Sequence, residues 1–372
     1  MNVNYKNKMK GKKHQITTDT HSNNNKIHIM MGAKTHRYKK EMEFYGKKNP
    51  LIYPHPFLLP PPLLQPRPQP TPPPRPPLNT NNSHKLSHNI RNVYQEKYIN
   101  TKASGFGDFL RGCFFTLQIC KKFNKKCIID INNHPLSIYI ATSNHKKRNE
   151  PIYHFSNFNF IPKILDNNII SSEKIKSCES DFMKYINNQE VIDNQISAYI
   201  TSFPVYNITN DEREFVKNNF IPTNEMSKYV NSTINEIGLK LKEYNIIHIR
   251  LGDQYLINNK TFVNNQLLIN IFKMCNKYIN KDKKYLLLGD NNLIKKTVCN
   301  EYKNVFTITN PITHLGENVN YCDIQVKNTM LDFYLMSNSN EIYSMSVYDH
   351  GSGFSKWCAE IYNLPYLCTL IE

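Results

Sequence analysis

YNIIHIRLGDQY, residues 244–255, is the stretch whose reading decides the fold. Asn245–Arg250, with Ile246, Ile247 and Ile249, is of strand length and reads as a buried parallel strand. It runs into a loop at Gly252, and His248 and Arg250, two apart, share one face of the strand. Working outward, Lys284–Leu288 (KYLLL) reads as a second strand, and Gly289 and Asp290 open a helix that runs to about Tyr302. Asn328–Asn338 reads as a helix and Glu341–Val347 (EIYSMSV) as a strand. A last helix starts near Ser352, with Phe354, Trp357, Cys358 and Ile361 on one face. Upstream, KASGFGDFLRGCFFTLQICKKFNKKCIIDIN (102–132) reads as loop, helix and strand. Ser104, Gly105 and Gly107 make a tight turn, Asp108 sits at the helix start, and Lys121 and Lys122 lie in its last turn, where they suit the helix dipole. Cys127–Ile131 then forms a short buried strand. Between about 142 and 242 the chain is polar and Asn-rich. This alternation predicts an α/β protein of two doubly wound halves meeting near residue 243, namely 94–243 and 244–372. No internal repeat is evident.

The 372 residues carry 47 Lys+Arg against 30 Asp+Glu, a net charge of +17, and 40% are apolar. That apolar share supports a buried core and excludes wholesale disorder. The charge is uneven: residues 1–93 hold 16 Lys+Arg and 3 Asp+Glu, so the basicity belongs to an N-terminal extension. Residues 1–48 read as a basic disordered tail and 49–93 as a Pro-rich linker, since 14 of the 21 prolines lie between Pro50 and Pro77. Such a run favours extended polyproline II. The extension could meet an anionic surface or nucleic acid through its charge, or an SH3-like groove through Arg67, Pro70 and Pro73. The bland reading, a solvated low-complexity extension, is favoured. The nine cysteines are scattered without a CxxC pair, which points to a reducing compartment rather than a disulfide framework or a zinc site. MNVNYKNKMKGKKH has no apolar run behind it, and no stretch reaches membrane-spanning length. The expectation is therefore a cytoplasmic protein with no signal peptide and no integral membrane segment.

Ligands of open α/β sheets bind outside the carboxyl ends of the strands, and three polar clusters fall there. In the first, Arg250 offers a planar fork for a phosphate and Gly252 allows close backbone approach. An Arg paired with Asp253 and a core His248 is the structural alternative. In the second, Ser352, Gly353 and Ser355 open a helix whose N–H groups suit an anion, or Ser352 is only a cap. The third is Asp332, which could accept hydrogen bonds from a base or ribose, or be a solvated carboxylate. Asp290 reads as the cap of its helix.

Taken in order, these motifs resemble those of the fucosyltransferases that use GDP-fucose. HIRLGD (248–253) is similar to their H-x-R-x-G-D signature. LDFYLMSNSNEIYSMSVYDHGSGFSKW (331–357) is similar to their closing motif, an Asp on a helix ending Leu-Met-Ser, then a strand, then Ser-x-Phe-Ser-x-Trp. LLLGDN (286–291) and SGFGDFL (104–110) resemble two further motifs, and the set spans about 104–357. Asp108 stands where the family usually has Asn, residues Tyr348–Gly351 lengthen the last strand-to-helix connection, and Asn291 replaces an acid. The resemblance implies a GT-B-like fold of two Rossmann-like domains with the nucleotide sugar in the C-terminal one. It implies inverting transfer to a glycan hydroxyl, with no metal expected. By motif position Arg250 would hold the diphosphate, His248 would lie near the nucleotide, Asp332 would face guanine, and Ser352 and Ser355 would hold phosphate. Gly105 and Gly107 belong to the glycine loop. Asp253 is the first candidate general base and Asp108 the second.

Two other classes compete. A dinucleotide enzyme built on Gly105 and Gly107 lacks the third glycine at the required spacing, since the next is Gly112. A catalytically inactive transferase-like scaffold, whose basic Pro-rich tail binds nucleic acid or a protein partner, would bind no GDP.

Overall fold

A computed structural model describes residues 89–95, 105–143, 153–156, 172–189, 191–192, 194–201, 204–256, 263–316 and 322–372. The basic tail and all of the Pro-rich linker up to residue 88 lie outside the described residues. The described residues belong to one compact unit, Asn79–Glu372.

The N-terminal sheet has four parallel strands: β1 (Asn89–Gln95), β2 (Cys127–Asn133), β3 (Tyr153–Ser156) and β4 (Gln195–Thr201), in the order β2-β1-β4-β3. Helix α1 (Phe106–Lys122) joins β1 to β2, and α2 (Ser172–Asn187) lies between β3 and β4. A short 3-10 helix, Pro135–Tyr139, follows β2. Helices α3 (Asn210–Asn218) and α4 (Asn224–Glu236) lead to the second sheet. Each starts on a threonine: the Thr209 hydroxyl accepts from the Glu212 N–H at 3.3 Å, and the Thr223 hydroxyl from the Met226 N–H at 3.2 Å.

The C-terminal sheet is also wholly parallel. Its strands are β5 (Asn245–Arg250), β6 (Tyr285–Gly289), β7 (Val305–Thr307), β8 (Ile342–Ser346) and β9 (Tyr366–Leu370), in the order β7-β6-β5-β8-β9. The helices between them are α5 (Asp253–Leu256), α6 (Asn265–Tyr278), α7 (Asn292–Glu301), α8 (Asp323–Ser337) and α9 (Gly353–Tyr362). Winding runs outward from β5 in both directions, so the strand order reverses between β5 and β8. The two sheets give the GT-B-like, doubly wound α/β plan expected from the sequence. The β5/β8 crevice is the position where such sheets bind ligands.

The sheets share one apolar cluster, which takes Ile90, Phe109 and Tyr199 from the first half and Ile246, Leu286 and Trp357 from the second. Helix α9 carries much of this junction, packing on α1, α3 and α8, with the Trp357 ring 5.7 Å from that of Phe114. Among the described residues no helix is long and apolar enough to cross a membrane.

Three expectations change. The ordered body starts before Tyr94, because residues 89–93 belong to β1, in the middle of its sheet, and not to a linker. The Asn-rich stretch after residue 142 holds α2, β4, α3 and α4. Gly107 lies inside the first turn of α1, with Gly105 as N-cap, rather than in a preceding turn. The reason is contact: a Cβ on Gly107 would come within 2.3 Å of the Gly353 carbonyl carbon. The starts of α1 and α9 therefore touch backbone to backbone.

Candidate active site

Strand β5 delivers His248 and Arg250 to the crevice, opposite Ser344 and Ser346 of β8. Gly252 has φ of 120°, a conformation open to glycine and costly for other residues. That turn aims the N–H groups of Leu251 and Gly252 at the Asp290 carboxylate, each 2.9 Å from Oδ2. Arg250 Nη1 donates to the same Oδ2 at 2.9 Å, while Nη2 donates to Asp253 Oδ1. The Tyr348 ring centre is 6.0 Å from the guanidinium carbon. The Arg250 side chain is 13% exposed, so the fork is held by two acids yet still presents an edge to the crevice.

Asp290 is thus not a helix cap. Asn291 takes that task, its Oδ1 accepting from the Ile294 N–H at 2.9 Å, which leaves Asp290 to Arg250. Burial pushes the Asp290 carboxyl up, and Arg250 with the two N–H donors pulls against it.

Beside this clamp, α9 begins at Ser352, whose side chain makes no capping hydrogen bond. The opening N–H groups of a helix have no acceptor within it, and this end lies beside β5, the Phe354 ring being 6.3 Å from that of His248. Ser352 and Gly353 are placed there together. The Ser355 hydroxyl is not: it is buried, 3.2 Å from Ser344 Oγ and 3.4 Å from the Ser352 carbonyl.

The N-terminal half closes the ring. Gly105 faces His314, for a Cβ there would lie 3.2 Å from Nε2. That Nε2 is 3.9 Å from Asp253 Oδ1, and Nδ1 accepts from the Gly316 N–H at 3.3 Å. The Asp253 N–H donates to the Tyr348 hydroxyl at 3.3 Å, and His350 stacks on the Tyr348 ring with centroids 5.2 Å apart. Asp108, in the first turn of α1, is half-buried. Burial raises its carboxyl, opposed by Arg111, by His350 and by a hydrogen bond from the Gly105 backbone. The structure therefore brings both candidate bases, Asp253 and Asp108, to one ring of side chains around the clamp.

Under the clamp lies a layer of buried polar groups. Nδ1 of His248 has no hydrogen-bond partner, and burial, helped by Arg250 and Lys295, pushes the ring down to about 3, so it is neutral. Oδ1 of Asp332 also has no partner, and burial raises this carboxyl to about 7 against the pull of Lys295. Lys295 is 1% exposed, and its Nζ donates to the Ile308 carbonyl at 2.8 Å.

Comparison with known proteins adds the following. No protein-family model and no curated protein matches the chain. Several solved structures match at low identity. NodZ alpha-1,6-fucosyltransferase of Bradyrhizobium, co-crystallized with GDP, is 14% identical over 73% of this chain and 91% of its own, with a TM-score of 0.41. A mutant of Arabidopsis thaliana FUT1 in complex with GDP is 9% identical over 76% of this chain and 70% of that one, at 0.45. POFUT1 in complex with GDP is 8% identical over 76% and 98%, at 0.38.

Lys295, His314 and Tyr348 were not singled out from the sequence. Lys295 sits in a Lys-Lys pair that reads as surface. Only its helical position, four after the Asn291 cap and three before buried Val298, marks it as facing inward. His314 and Tyr348 lie in connections, where periodicity says nothing.

Proposed function

We propose that the chain is an inverting glycosyltransferase that moves fucose from GDP-fucose to a glycan hydroxyl. The observation that carries this reading is Arg250, clamped by Asp290 and Asp253 at the strand-order reversal and next to the opening N–H groups of α9. The motif order from Gly105 to Trp357 supports the choice of donor. As the acceptor oxygen bonds to the anomeric carbon, the bond from that carbon to the phosphate oxygen breaks and GDP leaves with the electron pair. Arg250 and the α9 N-terminus are fixed in advance to meet that growing charge. Ser352 and Gly353 lie with them. His248, neutral and buried beneath, excludes water, and Asp332 faces the base.

The acceptor proton needs a carboxylate of raised basicity. Asp253 is tied to Arg250, which makes it an orienter of the guanidinium. Asp108, in the first turn of α1, has a carboxyl raised by burial, and we assign it the role of base. Asp108→Asn is expected to cut transfer about 10²–10⁴-fold while GDP affinity changes little. Single-turnover transfer from GDP-fucose, with GDP titration alongside, measures both. A variant with undiminished transfer would hand the base role to another group.

A further inference from the structure

The connection from β8 to α9, residues 347–352, turns back against the clamp, and hydrogen bonds set its backbone. The Val347 N–H donates to the Arg250 carbonyl at 3.1 Å, the Tyr348 N–H to Ser346 Oγ at 3.1 Å, and the Gly351 N–H to the Tyr348 carbonyl at 3.0 Å. This turn brings the Tyr348 ring to Arg250, with the guanidinium carbon 6.0 Å from the ring centre, at the outer reach of a cation–π contact. His350 stacks on the same ring, the two planes within 8° of each other. The Tyr348 hydroxyl reaches the turn after β5. It accepts from the Asp253 N–H at 3.3 Å, and a Cβ on Gly252 would come within 3.1 Å of it.

These contacts supply what the two acids leave open. Asp290 and Asp253 each hold one Nη, so the guanidinium can still rock about the line joining them. A ring packed beside it limits that motion. The two arms of the clamp also differ in rigidity. The Asp290 side chain is buried, whereas that of Asp253 is 43% exposed and stands at the start of a four-residue helix. The bond from the Asp253 N–H to the Tyr348 hydroxyl anchors that weaker arm. We propose that Tyr348 is a positioning residue for the diphosphate site: its ring holds the Arg250 guanidinium at one tilt, so that the N–H donors not engaged by Asp290 and Asp253 meet the anion in a single orientation. The identity of that anion rests on the nucleotide reading above.

The test is calorimetric titration of inorganic pyrophosphate, with GDP in parallel, into the full-length protein. Wild type is compared with Tyr348→Ala, Tyr348→Phe, Arg250→Ala and the double variant of Tyr348→Ala with Arg250→Ala, each first verified as folded by its melt. The comparison is read with whichever probe binds wild type. Tyr348→Ala should bind about 3- to 30-fold more weakly, and Tyr348→Phe, which keeps the ring, should recover most of that loss. On the Arg250→Ala background the same substitution should cost nothing further, because its effect runs through the guanidinium. A full additional loss there, or a Tyr348→Phe as weak as Tyr348→Ala, marks a merely structural side chain and overturns the proposal. Wild-type affinity in folded Tyr348→Ala overturns it too. If Arg250→Ala binds too weakly to measure, the comparison with Tyr348→Phe decides, and if Tyr348→Ala does not fold, Tyr348→Leu takes its place. If folded wild type binds pyrophosphate but not GDP, the nucleotide reading fails and the comparison at Tyr348 still stands. If it binds neither, both fall.

Discussion

Arg250→Ala is expected to weaken GDP binding about 10- to 150-fold, the loss of a charge-assisted contact worth about 1.5–3 kcal/mol. It should also destabilise the free protein. The Asp290 side chain is 2% exposed and has Arg250 as its cation at 2.9 Å. Removing one member of a buried pair costs up to about 3–5 kcal/mol because the other charge stays behind. The two backbone donors to Asp290 should keep the cost at the lower end of that range. Arg250→Lys keeps the charge but cannot fork between Asp290 and Asp253, so affinity should fall while much of the stability returns. Calorimetry and urea unfolding separate the two effects. Unchanged affinity in folded Arg250→Ala would remove the clamp from the donor site.

The second large effect concerns the contact between α1 and α9. On helix propensity alone, Gly→Ala inside a helix is stabilising by about 1 kcal/mol. Gly107→Ala is expected to do the opposite, costing about 3 kcal/mol or more. The new Cβ would sit 2.3 Å from the Gly353 carbonyl carbon and 2.6 Å from the Phe354 N, and backbone cannot step aside as a flexible side chain can. Gly353→Ala is the control from the other side: its Cβ would meet nothing nearer than 3.7 Å, an ordinary contact. Urea unfolding of the two variants should differ sharply, and donor binding should suffer in Gly107→Ala because the α9 N-terminus moves with it. Equal stability of the two variants would mean that the helix starts are not in contact.

The parts of this molecule that a sequence displays are those with one dominant force behind them. Strand β6 is a nearly continuous apolar run and β5 carries Ile246, Ile247 and Ile249, because both sheet faces are covered, and α9 shows its apolar stripe. Strand β1 hides because its buried positions include polar residues that find partners only in the fold. Arg91 Nη1 lies 3.4 Å from Ser197 Oγ, and the Ile200 N–H donates to Asn92 Oδ1 at 2.9 Å. Helices α3 and α4 hide in the Asn-rich stretch because their exposed faces are rich in Asn, Lys and Glu, while few positions, such as Val216 and Val230, are buried. The positions of Arg250 at the end of a strand and of Asp332 on a helix were legible. The role of Asp290 was not, since Asp290 and Asn291 are both competent caps and only the turn at Gly252 decides which is released to bind Arg250.

We propose the β5/β8 crevice as the site for a guanine nucleoside diphosphate. Titration of GDP, ADP and UDP into the full-length protein by calorimetry tests it most directly. Saturable heat is expected for GDP and at least tenfold weaker binding for ADP and UDP, since a carboxylate placed like Asp332 can accept from the adjacent N–H donors of guanine and adenine offers no such pair. A folded protein that gives no heat with GDP, or equal affinity for all three, would contradict it.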